Sequence, residues 1–97
     1  MPALSEYSNV YNTALLILKS KGFRVWLDEP SNLYFAEKNG WDFASDTPCG
    51  LLGVVSIYEY KSPKAFTEYW WKESGPDEYG DISRTAPEYT PVWDIPK

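Results

Sequence analysis

The chain has no histidine and one cysteine in 97 residues. These two absences exclude an internal disulfide, a Ser/His/Asp triad, a histidine-assisted thiol nucleophile and the usual Cys/His zinc sites. No metal or cofactor is expected. Basic residues are also few: nine Lys and Arg stand against fourteen Asp and Glu, for a net charge of −5 and a pI of about 4.6. That balance argues against nucleic acid, where Lys and Arg must neutralise phosphate. It argues equally against an anionic membrane surface. It permits a basic protein partner, drawn in by long-range attraction. No apolar run is long enough to span a membrane. The first residues, MPALSEYSNVYN, lack a basic segment ahead of an apolar one, so no signal peptide is expected. The lack of disulfides in so small a chain fits a reducing cytoplasm, which is the expected location.

Aromatic residues are abundant instead. Five Trp, eight Tyr and four Phe make up 18% of the chain. Each ring buries a large area, so a small core needs only some of them. The others should be exposed or serve an interface.

The pattern along the chain predicts an α+β domain with the order α-β-β-β-α-α over residues 1–73, and an extended arm over 74–97. Tyr7, Val10, Tyr11, Ala14, Leu15 and Leu18 recur at helical spacing within residues 5–21, with Ser5 able to cap the start and Gly22 to close the end. Phe23 to Asp28 alternates as a strand, Glu29-Pro30-Ser31-Asn32 is turn chemistry, and Leu33 to Lys38 is a second strand. Asn39-Gly40 signals a two-residue hairpin leading into a third strand, Trp41 to Ser45. That turn pairs Lys38 with Trp41, Glu37 with Asp42, Ala36 with Phe43 and Phe35 with Ala44. Tyr34, Ala36, Trp41 and Phe43 then share the face expected to meet the helices. Asp46 or Thr47, followed by Pro48, starts a helix over 48–60. The strand-forming run VVSIYEY, together with Gly50 and Gly53, pulls against it. Ser62-Pro63 repeats the cap-and-proline pattern and predicts a helix over 63–73, supported by Lys64–Glu68 and Glu68–Lys72 pairs. Four prolines preclude any long regular element after residue 74. Tyr79, Ile82, Tyr89, Val92, Trp93 and Ile95 make that arm too apolar for a simple disordered tail. It is expected to pack on the domain or on a neighbouring chain.

Three features could carry chemistry. Cys49, near a helix start, would have a favoured thiolate, but the chain lacks a base to use it; a small half-buried residue is the favoured reading. Glu37 and Asp42 are direct cross-strand neighbours, a pair that is unfavourable unless a cation from a partner, a metal or the chain itself compensates it; side chains splayed into water, or a longer hairpin loop, are the favoured reading. Tyr69, Trp70 and Trp71 are consecutive, so at least one ring points away from a shared core. Tyr and Trp beside acidic residues suit a protein interface, and cover of the extra ring by the C-terminal arm is the equal alternative.

The run FASDTPCGLLGVVSIYEY carries an aromatic strand, Asp-x-Pro, and Leu-Leu-Gly ahead of a helix. It resembles small bacterial proteins of the immunity type that neutralise polymorphic toxins. The resemblance implies stoichiometric binding rather than catalysis. The expected function is therefore an acidic module that occludes a basic protein through Glu37, Asp42, Asp46, Tyr69 and Trp71. A homodimer with the arm of residues 74–97 at its interface is the second reading. A small enzyme using Cys49 or the Glu37/Asp42 carboxylates is disfavoured. The α-β-β-β-α order also resembles double-stranded RNA-binding domains, a use that the acidic balance disfavours.

Overall fold

The computed structural model describes residues 2–96. Its elements run α1 (Ser8–Ser20), β1 (Arg24–Asp28), β2 (Leu33–Lys38), β3 (Trp41–Ser45) and α2 (Pro48–Lys61). A single-turn α3 (Glu78–Asp81) and a 3-10 turn at Val92–Asp94 follow. The strands form one antiparallel sheet ordered β1-β2-β3. The domain is thus α+β with the α-β-β-β-α order expected from the sequence. No described helix is long and apolar enough to cross a membrane. Two compact units emerge: Glu6–Trp71, which holds the sheet and both long helices, and the residues up to Ser5 together with those from Lys72 onward.

Helix α1 starts later than its spacing suggests. Tyr7 is the N-cap, in extended conformation and without a side-chain cap bond. Ser5 therefore lies outside the helix and does not cap it. The other end closes as expected. Gly22 N–H bonds the Lys19 carbonyl at 3.0 Å and Phe23 N–H bonds the Leu18 carbonyl at 3.1 Å. Gly22 adopts φ of 93°, the left-handed value this closure requires. Leu18 and Phe23, brought together by the motif, both belong to the buried core.

Asn39 and Gly40 have φ of 53° and 87°, as a type I′ turn demands. All four expected pairs are present: Lys38 with Trp41, Glu37 with Asp42, Ala36 with Phe43, and Phe35 with Ala44. Ala36 is fully buried against Leu18, Phe23, Leu51 and Val55, with Tyr34, Phe43 and Tyr58 packed around them. A second tie links the hairpin to α1. Lys38 Nζ donates to the Lys21 carbonyl at 2.8 Å and lies 5.5 Å from the Phe23 ring centre. The ammonium thus meets the negative end of the helix while its stem covers an apolar surface.

Helix α2 settles the contest between its start signal and VVSIYEY. The Thr47 hydroxyl accepts from Gly50 N–H at 2.9 Å and Pro48 occupies the first turn. Leu51 and Val55 are buried and Tyr58 is half-buried, all on one side. Helical burial overrides the strand preference of the β-branched run. Only one of the two glycines permits a close approach. A Cβ at Gly50 would meet Ser45 Oγ and lie 3.2 Å from Thr47 Oγ1, whereas one at Gly53 would meet nothing within 4 Å.

The expected helix over 63–73 is absent. Ser62 is the C-cap of α2, with φ of 46° and its N–H on the Tyr58 carbonyl. Ser62-Pro63 is therefore a helix stop, because a left-handed residue followed by proline cannot continue the helix. Residues 68–71 form a turn in which Tyr69 has φ of 57°. The Lys64–Glu68 and Glu68–Lys72 pairs lose the helix that would have aligned them.

Gly53→Ala should stabilise the protein by about 1 kcal/mol, the ordinary gain of Ala over Gly in a helix. Gly50→Ala should bring no such gain, because its methyl displaces Ser45 Oγ and crowds the Thr47 cap. Urea midpoints of the two variants compare them directly.

Candidate functional site

Within Glu6–Trp71, α1 and α2 pack on one face of the sheet and leave the other without a helix. Alternation from the observed register places Arg24, Trp26 and Asp28 of β1, Leu33, Phe35 and Glu37 of β2, and Asp42 and Ala44 of β3 on it. Its centre is aromatic. Trp26 and Phe35 are directly opposite and stack with ring centres 5.4 Å apart and planes 11° from parallel. Neither residue was expected to take part in binding. The alternation in β1 and β2 is the signal that places both on one face.

The rim of this face is charged. Glu37 and Asp42 are cross-strand neighbours, as expected. The compensating cation comes from the chain itself: Arg24 donates from Nε at 2.7 Å and from Nη2 at 2.5 Å to Glu37 Oε1. The Gly40 N–H donates to Glu37 Oε2 at 2.8 Å. The Gly40 bond and then the Arg24 bonds hold the Glu37 carboxyl below the usual carboxylate range, against a smaller opposing effect of burial. Among the described residues, the ion pairs shown are Arg24–Glu37 and Lys21–Glu59, and Asp42 is in neither. Asp42 is exposed, as is Asp46 just beyond the end of β3. Glu37 thus serves the sheet as well as facing outward, while Asp42 and Asp46 present their charge to solvent.

Tyr69 and Trp71 stand elsewhere. The left-handed Tyr69 reverses the chain so that Trp70 meets Trp41, Phe43 and Tyr58, at 5.3, 6.3 and 6.2 Å between ring centres. Tyr69 and Trp71 then form an exposed edge-to-face pair at 5.9 Å. Beside them, Val54, Ile57, Trp70 and Trp71 line an apolar groove of about 250 Å³. The expected site residues therefore fall into two groups: Glu37, Asp42 and Asp46 at the open sheet face and its end, and Tyr69 with Trp71 beside α2. A separate cleft of about 330 Å³ at the hairpin tip is lined by Trp41, Phe66 and Trp70 with Asn39, Asp42 and Lys64.

Cys49 is the second residue of α2 and half-buried. The nearby Tyr11 phenol is raised above its ordinary range, first by burial and then by Glu6, Cys49 and Tyr34. No group of three or more His, Cys, Asp or Glu among the described residues could hold a metal ion. The segment from Lys72 onward, taken by itself, has its short α3 capped by Asp77, whose Oδ1 accepts from Gly80 N–H at 3.1 Å. Its apolar side chains are exposed, Tyr79 at 95%. No family model, curated protein or solved structure matches the chain.

The lowered titration of Glu37 has a definite sign. Its ion pair and turn bond stabilise the fold fully above the ordinary glutamate value of 4.5. That contribution is lost as the pH falls through the depressed folded value. In urea titrations between about pH 7 and about pH 2, the advantage of wild type over Glu37→Gln should shrink as the pH falls from 4.5 through the depressed folded value. An advantage that stays constant to the acid limit would rule out the linkage.

Proposed function

We propose that the chain is an acidic protein-binding module that neutralises a basic partner by occluding it, in the manner of an immunity protein. The observation carrying this reading is the open face of the sheet. There, a stacked Trp26/Phe35 pair is ringed by Asp28, Glu37 and Asp42 against Arg24. Rigid aromatic area beside unneutralised carboxylate suits a surface rich in Lys and Arg. Arg24 is already engaged by Glu37, so Asp42 and Asp46 are the charges free to steer the partner. Tyr69 and Trp71 provide a second aromatic contact beside α2. The reaction class is stoichiometric binding, with no catalytic residue.

The exposed rings of the C-terminal segment favour a second reading, in which residues 74–97 pack on another copy of the chain. A dimer that becomes monomeric when residues 74–97 are deleted would support it.

The first reading is tested by affinity capture at low ionic strength from cells that produce the protein, followed by titration of the purified pair. The partner should be basic and its binding should weaken with added salt. Asp42→Lys should weaken binding by about tenfold or more. Binding insensitive to both salt and Asp42→Lys would overturn the electrostatic mechanism.

A further inference from the structure

Strand β1 is an edge of the sheet, with β2 on one side and, among the described residues, no strand on the other. Its sequence, Arg24-Val25-Trp26-Leu27-Asp28, has a cation at one end, an anion at the other and three apolar residues between. Turned antiparallel upon itself about Trp26, it sets Arg24 opposite Asp28 of the second copy, Asp28 opposite its Arg24, and Val25 opposite its Leu27. We infer that β1 pairs with β1 of a second copy around a twofold axis at Trp26, joining two sheets into one of six strands.

The backbone supports this register. The two-residue turn makes Lys38 and Trp41 a hydrogen-bonded pair. Alternation then turns the polar backbone groups of Arg24, Trp26 and Asp28 toward β2. Those of Val25 and Leu27 are left facing the free edge. In the twofold register these two residues exchange N–H and C=O groups with Leu27 and Val25 of the second copy. Trp26 meets Trp26 at a non-hydrogen-bonded position, where opposing side chains approach most closely.

The side chains agree. Trp26 and Leu27 are 43% and 45% exposed, although each belongs to a hydrophobic row. Pairing extends the Trp26/Phe35 stack into a band of four rings on the open face, and Leu27 gains an apolar neighbour on the helical face. The Arg24 side chain is 81% exposed despite its bond to Glu37, which leaves donors for Oδ1 of the Asp28 opposite, whose Oδ2 accepts from Ser31. Few edge strands leave such a row unguarded by lysine, proline or a bulge. This pairing uses the β1 edge, independently of any basic partner and of residues 74–97.

An interface built on five residues per chain falls below the roughly 1,200–2,000 Å² of a durable complex. The dimer should therefore be concentration-dependent. Sedimentation velocity from about 10 μM to about 1 mM should show a rising mass that approaches twice the monomer. Trp26→Lys, which places like charges face to face on the axis, should keep the chain monomeric with unchanged circular dichroism. In a Cys49→Ser background, Trp26→Cys should yield a disulfide-linked dimer on mild oxidation, while Leu27→Cys, whose counterpart is Val25, should not. Deletion of residues 74–97 should leave the dimer intact. A monomer at every concentration would overturn the inference. So would a dimer that survives Trp26→Lys, is lost on deletion of residues 74–97, or cross-links through Leu27→Cys and not Trp26→Cys.

Discussion

The Asn39-Gly40 turn decides where every side chain of the sheet points. Both residues hold positive φ, and the loop between Lys38 and Trp41 has no residue to spare. A slip of one residue would send Ala36 and Phe43 outward and bring Glu37 and Asp42 into the core. The Gly40 N–H is also a ligand of Glu37, so the turn that sets the register helps satisfy the carboxylate that the register exposes. The parity of β1 follows from the same turn. Through it, a two-residue loop at one end of the sheet determines which backbone groups stand at the opposite edge.

Much of this was legible because the signals were local. The Asn-Gly pair, the alternation of Tyr34 and Ala36, and the Thr47-Pro48 start each act over a few residues, and each holds in the fold. The failure at residues 63–73 was of a different kind. Ser62-Pro63 reads equally well as a beginning or an end, and only the left-handed backbone at Ser62 selects the end. The turn at Tyr69 likewise needs a φ that its side chain gives no reason to expect; nothing local announces that Trp70 packs inward while its neighbours face out. For the candidate site, the Glu37/Asp42 juxtaposition was readable from the turn. The role of Arg24 required the longer β1–β2 connection, whose register depends on tertiary packing.

The aromatic content divides between two tasks. Phe23, Trp41, Phe43, Tyr58 and Trp70 form a chain of edge-to-face and tilted contacts between sheet, helix and the segment after α2. Such rings enlarge a core that has few fully buried aliphatic side chains, and their contact geometry adds to the area they bury. Trp26, Tyr69 and Trp71 remain at the surface, where their rigidity favours recognition over stability. The charges divide in the same way: Glu37 is held within the sheet while Asp42 is left to solvent.

Lys21 occupies the point where three elements meet. Its carbonyl accepts Lys38 of the hairpin, and its ammonium pairs with Glu59 of α2 at 2.9 Å. The sheet itself joins only strands adjacent in the sequence, so it can assemble through short loop closures. Docking α2 against α1 is the one step that must close a loop spanning the entire meander. Contacts of such span carry the largest loop entropy and slow folding most. The Lys21 junction therefore sits at the longest-range closure that the topology requires of the chain.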